Sequence, residues 1–256
     1  MILICVDGMR PDGMEACGNA YVDELKAKCT YSMNAKTVYP SSTYPCHTSM
    51  FHSVPPQVHG TLVWYEPSEN PVKGLMEQLH EAGARCGMFY NCEAVEECVM
   101  HYEKSPLVVS TLLDTYAADD TDKFIMSRMI EDTRAFDLDF VFLYMGQTDS
   151  KGHRIGWMSD DYLKCLSKAV DNIKEVMNRF GDEFSVVITT DHGGHEKSHG
   201  SRMDEDMNIP IFCCGAECAP GRVLQDASIL DIAPTVADVM GVAASELWQG
   251  KSLVKG

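Results

Sequence analysis

The chain has 256 residues and a formal net charge of −17, enough length for one α/β core, and residues 1–256 are expected to form a single domain. The charge excludes long nucleic acid as a ligand, which needs a basic footprint, so an anionic substrate would have to meet locally fixed positive charge such as metal ions. No apolar run approaches the ~20 residues of a membrane span, so no membrane partner is expected.

Eleven cysteines without a CxxC motif read as reduced, small core residues rather than a disulfide framework. The first strand is expected to start at residue 2, so no leader is expected ahead of it, and the expected location is cytoplasmic.

Ile2-Leu3-Ile4-Cys5-Val6 predicts a buried strand ending at Asp7-Gly8. A turn over Met9–Gly13 and a short amphipathic helix over Ala20–Cys29 follow, then a strand over Ser32–Tyr39. The loop that comes next, PSSTYPCH, is framed by Pro40 and Pro45. A short helix over Cys46–His52, with Pro45 at its first position, would put Thr43 just before a helix N-terminus, where backbone N–H groups favour an anion. The plain alternative is that Thr43 caps the helix.

Helices are expected over Val72–Ala82, Ala94–Tyr102 and Asp122–Phe136, and a strand over Arg85–Tyr90 ends at Asn91. A third apolar strand, Phe140–Met145, leads through Gly146 to Asp149, with His153 four residues on. Asp160–Phe180 carries a helical apolar stripe. Val186–Thr190 then forms a strand that stops at Asp191-His192, followed by Gly193-Gly194, His195 and His199. A strand over Ile209–Cys213 and a helix over Ser228–Gly241 close the chain. Strands alternating with helices predict an α/β fold, a mostly parallel central sheet with helices on both faces. In such sheets ligands bind beyond the carboxyl ends of the strands. Three strands here deliver a carboxylate at that end, two with a histidine nearby, which points to metal chemistry.

In order along the chain, VDGMRPD, PSSTYPCH, PPQVHG, TDSKGH, TDHGG with SHG downstream, and DIAPTVADVMG with GKSL resemble the alkaline phosphatase superfamily. Within it the resemblance is to the type I phosphodiesterase/nucleotide pyrophosphatase family, and it covers most of the chain. It implies an alkaline-phosphatase-like fold and a site for two divalent metal ions, usually Zn²⁺. It also implies hydrolysis of a small phosphate-ester substrate through a phospho-threonine intermediate. Asp149, His153 and His199 would hold one ion. Asp7, Asp191, His192 and the oxygen of the nucleophile Thr43 would hold the other. On spacing alone His195 could replace His199; the family's His-Gly pattern favours His199-Gly200.

Tyr44, Cys46 and Asn91 are candidate substrate contacts, with Trp64 and Tyr65 close to the site. Cys46 stands where the family normally has Asn, and it is a poor donor. His47 and His59 read as packing around the nucleophile loop. The cysteine segment does not match the C/S-x-P-x-R motif of sulfatases. Other readings are a phosphomonoesterase or phosphonate hydrolase of the same superfamily, or a metal-binding protein without catalysis. A monoesterase needs an additional cation for the second negative charge, and Arg10, Arg154 and Arg202 lie near motif residues.

Overall fold

Strand β1 (Ile2–Val6) lies at the centre of a seven-stranded sheet among the described residues, in a computed structural model that describes residues 1–63, 70–99, 107–112 and 120–254. The elements that follow are α1 (Pro11–Ala16), α2 (Tyr21–Lys28), β2 (Thr30–Lys36), α3 (Thr43–His52), α4 (Pro56–His59) and α5 (Leu75–Glu81). Next come β3 (Cys86–Tyr90), α6 (Ala94–Val99), β4 (Leu107–Leu112), α7 (Thr121–Ala135), β5 (Phe140–Met145) and α8 (Gln147–Ile155). The chain ends with α9 (Asp160–Phe180), β6 (Val186–Thr189), α10 (Asp204–Met207), β7 (Asn208–Cys214) and α11 (Ile232–Val239). Trp64 and Tyr65, and the end of the helix expected over Ala94–Tyr102, lie outside the described residues.

The sheet order is β2-β7-β6-β1-β5-β3-β4, parallel except at the β6–β7 and β7–β2 pairs. Alternation along each central strand assigns the layers. Ile2, Ile4 and Val6 share one face with Val141, Leu143 and Met145, under α1, α2, α7 and α9. Leu3 and Cys5 share the other with Phe140, Phe142 and Tyr144, under α3, α5, α6 and α11. Covered on both sides, these strands read as unbroken apolar runs, which is why the sequence identifies them so directly.

The longest helix, α9, starts where the Ser159 side chain accepts the N–H of Tyr162, and it buries Leu166, Val170 and Ile173 against the sheet. The C-terminal segment is split. A single 3-10 turn over Ile229–Asp231, boxed by Ser228 and Asp231, precedes α11, and Gly241 takes φ +66° just past its end.

The cysteine expectation is corrected at one pair. Cys29 and Cys214 form a disulfide across 185 positions, while the other nine cysteines carry no disulfide. Antiparallel pairing of β2 with β7 sets Thr30 opposite Cys213, which brings Cys29 beside Cys214 with a Cα–Cα distance of 4.6 Å. That bond withdraws the cysteine argument for a reducing compartment. No helix among the described residues is long and apolar enough to cross a membrane.

Candidate active site

Strands β6, β1 and β5 are neighbours, run parallel and end level, with Cys5 opposite Thr189 and Val6 opposite Met145. The carboxyl ends of such strands are where an α/β sheet binds its ligands. Asp7 follows β1 directly, and Asp191-His192 follow β6. β5 runs through Gly146 into α8, whose first turn carries Asp149 and whose next turn brings His153 to the same face. Gly8, at φ +69°, lets these loops close: a Cβ there would lie 3.0 Å from the Asp149 Cα. Gly194 has the same duty against Trp157, whose ring a Cβ would meet at 2.2 Å.

Two sets of ligand-type atoms converge in this crevice. In the first, His153 Nε2 lies 3.1 Å from His199 Nε2 and 3.5 Å from Asp149 Oδ1, and His199 Nε2 lies 3.8 Å from Asp149 Oδ1. In the second, His192 Nε2 is 3.5 Å from Asp7 Oδ1, 3.3 Å from Asp191 Oδ2 and 3.4 Å from Thr43 Oγ1. Asp149 also belongs to a cluster with Asp7 and His192, so it joins the two sets. Atoms sharing one small tetrahedral cation at about 2.0–2.1 Å sit about 3.3 Å from one another. The observed spacings scatter around that value.

Hydrogen bonding fixes which atoms face the centre. His153 Nδ1 faces the Lys197 carbonyl at 3.0 Å, His199 Nδ1 the Ser41 carbonyl at 3.1 Å, and His192 Nδ1 the Gly193 carbonyl at 2.8 Å. A carbonyl only accepts, so each ring keeps its proton on Nδ1 and turns a bare Nε2 lone pair inward. Buried Asp7 Oδ1 and Asp191 Oδ2 receive no hydrogen-bond donor among the described residues. Burial, reinforced by Asp191 and Asp149, pushes the Asp7 carboxyl well above the ordinary carboxylate range. Asp191 is held below its ordinary value against the opposing effect of burial, by His192 and His47. His199 is pushed down to about 3 by burial, with His192 and His153 adding to it. Lone pairs facing lone pairs in a buried pocket repel one another, and a cation between them turns the repulsion into coordination. The donor set therefore fits metal ions.

Thr43 corrects the expected start of its helix. Helix α3 begins at Thr43, not at Cys46, and Pro45 occupies the third position, where its missing N–H costs nothing. Ser42 stands at the N-cap and makes no side-chain cap bond. Thr43 is thus not the cap, and its hydroxyl faces His192 from the first turn of a helix.

The substrate-contact candidates fare less evenly. Cys46 is fully buried and turned away: its sulfur accepts a hydrogen bond from Thr37 Oγ1 at 3.1 Å and packs near the carbonyls of Val38 and Pro40. Asn91 is likewise engaged inside the protein. Its amide is fully buried, donating to Asp122 Oδ1 at 2.8 Å and accepting from the Gly146 N–H at 2.9 Å. Tyr44 is buried beside Thr43, and its hydroxyl donates to Glu97.

His195 stands outside both sets, with Nδ1 2.7 Å from Asp206 Oδ1, whereas His199 stands inside the first. His47 accompanies the nucleophile loop, its Nδ1 2.9 Å from the Thr43 carbonyl and 3.4 Å from Asp191 Oδ2. His59 packs in the same region, 2.9 Å from Ser49 Oγ.

Two contributors escape sequence reasoning. Tyr144, buried inside the β5 run, donates its hydroxyl to Asp7 Oδ2. Trp157 packs edge-on against both His153 and His199 and donates its indole N–H to the Gly8 carbonyl at 3.0 Å. Tyr144 reads as one more core aromatic, and only its polar tip next to a strand end could have flagged it. Nothing in its sequence position marks Trp157.

Comparison with known proteins follows the same lines. A sequence model described as "Type I phosphodiesterase / nucleotide pyrophosphatase" matches residues 1–208. The chain is 24% identical over 218 residues to ectonucleotide pyrophosphatase/phosphodiesterase family member 1 of Rattus norvegicus, covering 77% of this chain and 24% of that protein. It thus spans about a quarter of the length of that relative. Among solved structures, murine ectonucleotide pyrophosphatase / phosphodiesterase 5 is similar with a TM-score of 0.82 at 12% identity, covering 98% of this chain and 97% of that one. A phosphonate monoester hydrolase from Silicibacter pomeroyi is similar with a TM-score of 0.76 at 14% identity, covering 98% and 75%. These structural likenesses carry the alkaline-phosphatase-like fold.

Proposed function

The chain belongs to the type I phosphodiesterase/nucleotide pyrophosphatase family, and from that premise we propose that it hydrolyses a small phosphodiester or pyrophosphate, with Thr43 as nucleophile beside two divalent cations. The observation that carries this reading is the Thr43 hydroxyl, uncommitted to capping, 3.4 Å from the inward lone pair of His192.

Asp149, His153 and His199 would hold one ion, and Asp7, Asp191 and His192 the other. His and carboxylate donors at these spacings suit Zn²⁺. When bound, such a pair stabilises the charge on the attacking and leaving oxygens of an in-line displacement. Thr43 Oγ1 gives up its proton to solvent and attacks phosphorus. The bond from phosphorus to the leaving oxygen breaks, and that oxygen departs with the electron pair and takes up a proton. Water then attacks the phospho-threonine, Thr43 regains its proton, and a phosphate monoester is released. The first turn of α3 contributes its partial positive charge at the point where negative charge accumulates.

Charge balance favours a diester. Asp7, Asp149 and Asp191 against two divalent ions leave one positive charge, and ionised Thr43 cancels it, so a monoanionic diester enters without repulsion. A monoester dianion asks for a further cation. Arg10 is spent on Asp12 at 2.6 Å and on the Gly194 carbonyl at 2.8 Å, and Arg202 lies over the Tyr39 ring. A panel of p-nitrophenyl mono- and diesters offered to zinc-loaded protein tests the reading. Preferential diester turnover is expected. Turnover of monoesters alone would overturn the diester assignment, and turnover of neither would leave the protein as a metal-binding one.

A further inference from the structure

Asp7 uses its two oxygens differently. Oδ1 faces His192 Nε2 at 3.5 Å and receives no donor, while Oδ2 accepts the hydroxyl of Tyr144. Both residues are buried, Asp7 at 1% exposure and Tyr144 at 0%. Tyr144 belongs to β5, one residue before its end, opposite Cys5 of β1. From that register its ring rises on the α3 face of the sheet, and its hydroxyl reaches past the end of β1. His47 packs edge-on against the same ring with centroids 5.4 Å apart, which holds the ring in place.

We propose that Tyr144 is a positioning residue for the metal centre: its hydroxyl occupies Asp7 Oδ2, so that Asp7 presents Oδ1 alone to the ion it shares with Asp191 and His192. The inference rests on the two-ion reading above. A carboxylate with both oxygens bare can swing or bind through either or both. One oxygen tied to a rigid, fully buried donor leaves a single aimed ligand atom, and tied ligands bind more tightly because their orientation is already fixed. The Tyr144 hydroxyl is given to Asp7, so its loss acts through Asp7.

The test is Tyr144→Phe, which removes one hydroxyl and keeps the ring. Tyr90→Phe is the control, since Tyr90 is a buried tyrosine on neighbouring β3 whose hydroxyl donates to Glu96, away from the ligand atoms. Zinc is titrated into each metal-free protein against a chromophoric chelator, and the melting temperature of each metal-free protein is recorded. For Tyr144→Phe one of the two ions should bind on the order of 10- to 100-fold more weakly, as for the loss of other partners that orient a ligand. Tyr90→Phe should bind both ions as wild type does.

Wild-type affinity in Tyr144→Phe, with wild type itself binding two ions, overturns the role of Tyr144 and leaves the two-ion reading standing. No binding by wild type overturns that reading and this inference with it. If Tyr144→Phe does not fold, the wild type decides alone. Zinc should perturb the near-ultraviolet tyrosine absorbance of the wild-type protein and that of Asp7→Ala much less. Equal perturbation in both would contradict the proposal.

Discussion

Two buried carboxylate clusters sit beyond the strand ends of this sheet, and they are built on opposite principles. Asp122 is closed by donors: the Asn91 amide at 2.8 Å and the Gln147 N–H at 3.3 Å, while Asn91 also ties down Gly146. Asp7, Asp149 and Asp191 instead face one another and the bare nitrogens of His192, His153 and His199. The first cluster is complete as protein and braces the turn from β5 into α8. The second turns acceptors toward acceptors, the arrangement that the proposed cations would satisfy. A buried carboxylate is therefore informative through what faces it, since donors make it architecture and further acceptors make it a site.

The largest effects should come from the open cluster. Asp149→Ala, which removes the carboxylate joining both sets, should cost at least one bound ion. Diesterase turnover should fall by on the order of 100-fold or more, measured together with metal content. Thr43→Ala should cause a loss of the same order while both ions remain. If Thr43 acted only through its helix, the same variant would lose about 1 kcal/mol of stability and keep its turnover. Rates, zinc content and melting temperature on one sample separate the two outcomes.

The closed cluster should respond in stability, not in chemistry. Asp122→Ala leaves the Asn91 amide and the Gln147 N–H without their acceptor and should cost about 1–3 kcal/mol in denaturant unfolding, with ion stoichiometry unchanged. Asp7→Asn in metal-free protein should do the reverse. By relieving acceptor-on-acceptor repulsion it should unfold no more easily than metal-free wild type. A clear destabilisation there would erase the contrast between the clusters.

The pH dependence sharpens the comparison further. Burial pushes the Asp122 carboxyl from its ordinary 3.8 up to about 7. A group raised in the folded state contributes fully below its ordinary value and loses that contribution as pH rises through the folded value. The melting temperature of wild type relative to Asp122→Asn should therefore decline between about pH 4 and pH 7 and level off above. The smallest effect belongs to His195→Ala, whose ring pairs with Asp206 outside both sets, so ion content and turnover should stay near wild type.

Much of this was legible in the sequence because the central strands are apolar on both faces and three of them are followed within a few residues by a carboxylate. Asp7, Asp149 and Asp191 could be read as strand-end carboxylates, and the fold followed from alternation. The inward or outward turn of a side chain could not be read. Asn91 ends a strand as Asp7 does, yet its amide points into the protein. Tyr144 is hidden within FVFLYM, where an aromatic is the expected core residue. β4 alternates half-buried with exposed residues at the sheet edge and gave too weak a signal to name. Cys29 and Cys214 meet only through the register of β2 on β7, information that lies in long-range pairing and not in local pattern.

The central claim is that the open cluster is a cation site, and metal content measures it most directly. Protein purified without chelator and analysed for metals should carry about two divalent ions per chain. Removing them with chelator should abolish diesterase turnover and lower the melting temperature, and adding zinc back should restore both. A stoichiometry near zero, with turnover and melting temperature indifferent to chelation, would contradict the account.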